Sequence, residues 1–383
     1  MRHLFFSLMI TTLLFVVTTI AYPTRTASTK PEKSDASSTP SSGGAQPSLV
    51  NTDSETGEPL NPVDVTPPWL NFSPHDVHVE GNYAYVACNA GLHIIDIERP
   101  ESAYIVKTME SDGAEAVRVC GGYAYILCDD EGDYWIDIID IEPLESAYVV
   151  KTVYPLPGTP TGFHISDGYA YVACIGDNGL HIIDVHPAIV PIDPPVAAHI
   201  VKTVVLDDAQ DVHVSGGYAY VSSFSGLHII NIDPPESAYI MKTVDTPGSA
   251  LGVYVSGEYA YVADGFAGLT IIDIEPISSA YIVKTVDNQV STQNANADIE
   301  YQSVHVSGKY AYVTGEEYVM DDDGLLRSTG YGVGVQIIDI EPPESAYIVK
   351  TIDTLGRANS VQVSGGYAYV ADGDGGLRII KLW

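Results

Sequence analysis

The triplet Tyr-Ala-Tyr occurs seven times, starting at Tyr83, Tyr123, Tyr169, Tyr218, Tyr259, Tyr310 and Tyr367. Successive copies stand roughly forty residues apart, with insertions that lengthen some intervals. A sequence that repeats at this period is built from supersecondary units that bury their surfaces against their own copies. Seven copies set the number of units.

The first unit shows what each copy contains. Residues 76–80 form a short β run, Gly81-Asn82 a turn, and residues 83–87 a second run. Asn89-Ala90-Gly91 turns the chain again into residues 92–97; Pro100 ends that run, and residues 103–108 form the fourth. The runs are rich in Val, Ile and Tyr and are bounded by Gly, Pro, Asn and Asp, which predicts strands joined by tight turns. Beyond the N-terminus no apolar pattern of helical period is long enough to form a helix. Each unit therefore reads as a four-stranded antiparallel meander, with strands a to d.

A strand with one wet face alternates polar and apolar residues. Strand b, Tyr-Ala-Tyr-Val-Ala, and strand c, Leu-His-Ile-Ile-Asp-Ile, are apolar on both faces. Sheets covered on both faces by copies of themselves are blades in a ring. Strand d carries Lys107, Lys151, Lys202, Lys242, Lys284 or Lys350 in six units. A charge there blunts an outer edge, so strand d is the rim and strand a lines the axis. The chain stops at Trp383, before a seventh strand d. Counting back from Val77 places the missing strand at residues 61–66, with Val63 and Val65 as its apolar residues. Pairing there closes the ring and removes its free edges. The expected fold is all-β: a seven-bladed β-propeller over 61–383.

The strands Gly91-Leu92-His93-Ile94-Ile95-Asp96-Ile97, Gly179-Leu180-His181-Ile182-Ile183-Asp184-Val185 and Gly268-Leu269-Thr270-Ile271-Ile272-Asp273-Ile274 resemble the LVIVD repeat of bacterial and archaeal surface β-propellers. The resemblance covers residues 76–383 and implies the same ring. It brings no catalytic motif with it. Asn231 and Lys381 stand where the repeat has its aspartate, which is expected to brace the turn after strand c through side-chain-to-backbone bonds.

Residues 1–21 have a short basic start and a long apolar run, with Thr19, Ala21 and Pro23 where a signal peptidase would cut. Residues 22–60, rich in Ser, Thr and Pro, read as a disordered tether. Export to the surface or the medium follows, with an uncleaved membrane anchor as the competing reading of the same apolar run. The formal net charge is −33, from 17 basic and 50 acidic residues. That balance argues against nucleic acid and anionic membranes as partners and suits a soluble monomer. Cys88, Cys128 and Cys174 end strand b in three blades, with Asp264 and Asp372 at the same place in two others. They read as small buried residues, with a Cys88–Cys128 disulfide as the exception to test.

Two constellations could carry function. The middle of strand a holds His78, Arg118, His164, His213, Tyr254, His305 and Gln362 in blade order. The four histidines would make one layer around the axis and are the candidate ligands of a channel metal. The second is a set of long connections on one face: 287–302 and 315–333 at blade 6, and 129–134 at blade 2. Tyr318, Asp321, Asp322, Asp323, Tyr331 and Tyr134 are its candidate binding residues, and the three aspartates are possible Ca²⁺ ligands. Most of the 26 tyrosines fall in Tyr-Ala-Tyr and Ser-Ala-Tyr repeats and read as blade packing. No nucleophile elbow, phosphate loop or zincin helix occurs. The function expected is a non-enzymatic surface scaffold with no fixed cofactor, recognising protein or glycan on the long-loop face. The alternative is a metal-dependent hydrolase or lyase using the axial histidines.

Overall fold

Four short strands per unit pair in sequence order and give seven four-stranded antiparallel sheets. The computed structural model describes residues 62–70, 72–176, 179–186, 199–288, 297–321 and 323–383. The expected signal peptide and tether lie outside these residues. In blade 1 the strands are Pro74–Glu80, Tyr83–Cys88, Gly91–Asp96 and Tyr104–Met109.

The last blade is completed from the N-terminal side. Val63–Asp64 pairs with Leu377–Lys381, setting Val63 opposite Lys381 and Asp64 opposite Ile380. Val65 N donates to Ile379 O at 2.9 Å, and Ile379 N donates to Thr66 Oγ1 at 2.7 Å. Asp64 also pairs with Arg378.

The apolar residues form seven clusters, and each joins two neighbouring blades. The cluster between blades 7 and 1 unites Tyr369 and Leu377 with Val77, Ala84 and Leu70. This arrangement explains the repeated triplet. The second tyrosine of each copy packs in one cluster with the alanine of the next: Tyr85 with Ala124, Tyr125 with Ala170, and so on to Tyr369 with Ala84. A large side chain on one face of strand b meets a small one on the facing blade, so the volumes interdigitate.

The aspartate ending strand c braces the next turn as expected. Asp96 Oδ1 accepts Glu98 N at 2.9 Å, and Asp140, Asp184, Asn231, Asp273 and Asp339 each accept the N–H two residues on. The rim lysines do more than blunt an edge. Lys107 Nζ donates to Glu145 O at 3.4 Å and Lys151 Nζ to His186 O at 3.3 Å, so each reaches the following blade. Strand d also carries a β-bulge in all six complete blades, as where Lys107 opposes Ile94 but Ile105 opposes Ile95. A bulge twists an outer edge away from further pairing.

One expectation is corrected. The Ser-Ala-Tyr tyrosines do not pack between blades. Tyr104, Tyr239 and Tyr281 are more than half exposed, and Tyr148 and Tyr347 nearly so. They start strand d, which has no outer neighbour to bury them.

Candidate functional site

The layer read from strand a is real. His78, Arg118, His164, His213, Tyr254, His305 and Gln362 each sit opposite the second tyrosine of their own triplet. All seven line one axial cavity of about 210 Å³. Along one arc of the ring the side chains stack edge to face. Ring centroids are 4.9 Å apart for His164 and His213, 4.6 Å for His213 and Tyr254, and 4.8 Å for Tyr254 and His305.

The opposite arc is polar. Arg118 Nη1 donates to Asp76 Oδ2 at 2.6 Å, and Val117 N donates to the same oxygen at 3.1 Å. Within the stacked arc Asp211 repeats the motif: its oxygens accept Val212 N at 2.8 Å and Val253 N at 3.1 Å. At the seam, Ser360 Oγ accepts Val77 N at 3.2 Å, and Gln362 Oε1 accepts Val79 N. These inner side chains thus tie strand a to the next at the junctions of blades 1 and 2, 4 and 5, and 7 and 1.

Desolvation pushes the imidazoles of His78, His213 and His305 down to about 4 and that of His164 to about 2, with Arg118 adding to the effect at His78, His164 and His213. The ring is therefore neutral at pH 7. Desolvation raises the Asp211 carboxyl against the pull of Arg118. The four candidate metal ligands, His78, His164, His213 and His305, all line this cavity. Among the described residues no three His, Cys, Asp or Glu side chains meet as a metal-ligand group. Tyr254 stands between His213 and His305, and His164, His213 and His305 pack as rings along this arc.

The long connections at blade 6 are largely strand. Strands a, b and c run Ala297–Ser307, Tyr310–Met320 and Leu326–Asp339, and they continue pairing beyond the ring as a hairpin and its neighbour. Asp298 opposes Tyr318, which in turn opposes Ser328. Blade 2 does the same on a smaller scale, with Asp129 opposite Tyr134 and a Glu131-Gly132 turn in which both residues have positive φ. The signal for the blade 6 extension is the alternation Ala-Asp-Ile-Glu-Tyr at 297–301, whose apolar members are buried. The insertion in the repeat had pointed to a loop, while the period of two points to a strand.

A buried carboxylate anchors this extension. The Glu316 side chain, 4% exposed, takes Arg357 Nη2 at 2.7 Å, Gln302 Nε2 at 3.2 Å, the Tyr318 hydroxyl at 3.4 Å and the Ser328 hydroxyl. Desolvation, with Glu300 and Glu316 nearby, holds the Tyr318 phenol well above its usual range. Tyr318 also packs against Phe266 of blade 5, centroids 5.3 Å apart. Gly332 lies where any side chain would strike the backbone of Arg357 and Ala358, so strand c passes tight against blade 7.

The aspartate run is a turn. Asp321 Oδ1 accepts the N–H groups of Asp323 and Leu325, both at 2.9 Å, and Oδ2 pairs with Arg327. Both oxygens thus have protein partners within the turn. Asp323 is exposed, and Asp322 lies outside the described residues. Tyr331 lies in strand c of the extension. Tyr134 is half-buried against the cluster between blades 2 and 3. What the candidates missed is the hairpin tip: Met320, Leu325 and Leu326 are 63%, 52% and 42% exposed.

All four cysteines are free. Cys88 Sγ donates to Gly91 O at 3.3 Å, and Cys128 Sγ lies 3.3 Å from Ser111 Oγ, so the Cys88–Cys128 bridge is not formed. Burial pushes the Cys128 and Cys174 thiols up to about 12. Such thiols are poor nucleophiles at neutral pH.

Comparison with known proteins supports the ring and its repeat. The chain is similar in fold to the periplasmic gluconolactonase PpgL of Pseudomonas aeruginosa, with 13% identity, TM-score 0.62, and 78% of this chain and 91% of that one covered. It is similar to the β-propeller domain of Cps50 (Swd1) from Myceliophteria thermophila, with 12% identity, TM-score 0.61, and coverage of 85% and 100%. The computationally designed Ika8 protein matches at 8% identity and TM-score 0.52, with coverage of 82% and 97%. At these identities the likeness is one of fold. No curated protein matches the chain. The model of the LVIVD repeat matches residues 73–107, 113–147, 157–187, 207–246, 247–287, 300–320 and 355–381, one match in each blade. The chain belongs to the LVIVD-repeat family.

Proposed function

We propose that this protein is a non-enzymatic binding scaffold, exported to the cell surface or beyond, that recognises a protein or glycan partner with the face bearing the blade 6 hairpin. The observation that carries this reading is the apolar tip formed by Met320, Leu325 and Leu326 on an otherwise acidic extension. Both arginines of this region are already paired, Arg327 with Asp321 and Arg357 with Glu316. A partner that fits offers an apolar patch rimmed by positive charge. Projecting elements on a rigid ring are where recognition concentrates. The apolar start of the chain supports export.

The test keeps the hairpin and changes its tip. Deleting the extension would uncover Ile299, which is 1% exposed, and confuse binding with folding. The triple variant Met320→Ser, Leu325→Ser, Leu326→Ser is expected to lose at least about tenfold in binding to a peptide array or a glycan array, with circular dichroism unchanged. Equal binding by variant and wild type would move the site off blade 6.

A further inference from the structure

Independently of the hairpin face, the axial cavity carries an inference of its own. Its volume of about 210 Å³ holds roughly seven waters at ~30 Å³ each. It is smaller than the roughly 300–1,000 Å³ of sites for drug-sized ligands.

The wall is rich in uncommitted donors. Arg118 uses only Nη1 in hydrogen bonds, to Asp76 and to Val117 O. The Gln362 amide nitrogen and the Tyr254 hydroxyl make no hydrogen bond among the described residues, and Ser360 Oγ accepts one without donating. The carboxylates are engaged: both oxygens of Asp76 and of Asp211 take donors from strand a backbones or Arg118. His305 Nδ1 is buried without a partner. Each imidazole, neutral at pH 7, offers one donor and one acceptor.

Three ligand classes can be weighed. A cation meets no cluster of ligands among the described residues. An anion meets Arg118 but also two carboxylates, inside a chain of net charge −33. A neutral ligand with several hydroxyls feels neither penalty. Its oxygens accept from Arg118, Gln362 and Ser360, its hydroxyls donate to imidazole nitrogen, and its C–H face lies on the stacked rings.

We infer that the axial cavity binds a small neutral polyhydroxy compound about one sugar ring in size. The full chain is titrated with D-glucose, D-galactose and myo-inositol by calorimetry, with sodium acetate and zinc chloride alongside, and imidazole signals are followed by NMR. At least one neutral probe is expected to bind at one per chain with Kd near or below about 1 mM and to shift the imidazole signals. Ser303→Leu lengthens a side chain in the cavity wall and makes no loss of a recorded bond, so it is expected to weaken binding at least tenfold. Tyr254→Phe keeps the ring, removes the hydroxyl, and is expected to weaken binding several-fold; it decides the matter if Ser303→Leu fails to fold. Three results overturn the inference: no neutral probe binding at ten times that concentration, acetate or zinc binding in their place, or sugar binding undiminished in both variants.

Discussion

Blades 5 and 6 share an inner half and differ at one end. In both, the axial residue of strand a faces the second tyrosine of the triplet, Tyr254 opposite Tyr261 and His305 opposite Tyr312. In blade 5 the strands stop there, at Gly252–Ser256, Tyr259–Ala263 and Leu269–Asp273. The turn is tied down by buried Asp264, which takes Thr246 Oγ1 at 2.7 Å, Thr270 Oγ1 at 2.9 Å and Gly248 N at 3.0 Å. In blade 6 Gly315 stands at that place, the strands run on, and Glu316 reaches across to Arg357 of blade 7. Within the ring both faces of a blade are covered, so volume and polarity are constrained at every position. Beyond it only one face is covered, as the alternate burial of residues 297–301 shows, and the other face is free for recognition.

The harshest way to break the comparison is to open the ring that holds both blades. A chain starting at Pro74 lacks the closing strand and Leu70, which is 2% exposed in the cluster between blades 7 and 1. Losing that one side chain costs about 3 kcal/mol, before the lost pairing is counted. Early melting or aggregation is expected, while a chain starting at Leu60 melts like the full-length chain. Equal melting of the two would show that closure contributes nothing.

The axial layer sharpens the comparison, because blade 6 has a titrating residue where blade 5 has tyrosine. Burial lowers His305 from 6.5 to about 4, so between these values the unfolded chain binds more protons than the folded one. The stability lent by the neutral imidazole is complete above pH 6.5 and is lost as pH falls toward 4, on the order of 3 kcal/mol. His305→Gln should flatten the melting curve of stability against pH in that window. Asp211, Asp264 and Asp372, whose carboxyls burial raises, act with the opposite sign, so the readout is the difference between variant and wild type.

The two carboxylate anchors come next. Asp264→Ala leaves buried donors unsatisfied and is expected to cost about 2 kcal/mol by denaturant unfolding. Arg357→Met removes a partner that is 46% exposed and leaves Glu316 three other donors, so about 1 kcal/mol is expected. A larger loss for Arg357→Met would mean that the extension, not the blade 5 turn, is the more cooperative with the ring. Smallest of all, the triple serine change at the hairpin tip should alter stability by less than about 0.5 kcal/mol.

The number of blades, the order of strands, the axial layer and the closing segment were legible in the sequence, because a repeated environment imposes a repeated residue. Each Tyr-Ala-Tyr meets the next blade in the same way, and each axial residue of strand a holds the same register, opposite the second tyrosine of its own triplet. Three things were decided only by tertiary structure. The Ser-Ala-Tyr tyrosines repeat as faithfully as the others yet lie on the rim, since periodicity reports a shared environment without saying whether it is buried. His164, His213 and His305 join one ring stack with Tyr254, because side chains on neighbouring inner strands meet flank to flank. The blade 6 insertion became sheet because Ile299 and Tyr301 find cover on blade 5, a long-range contact that no local pattern contains.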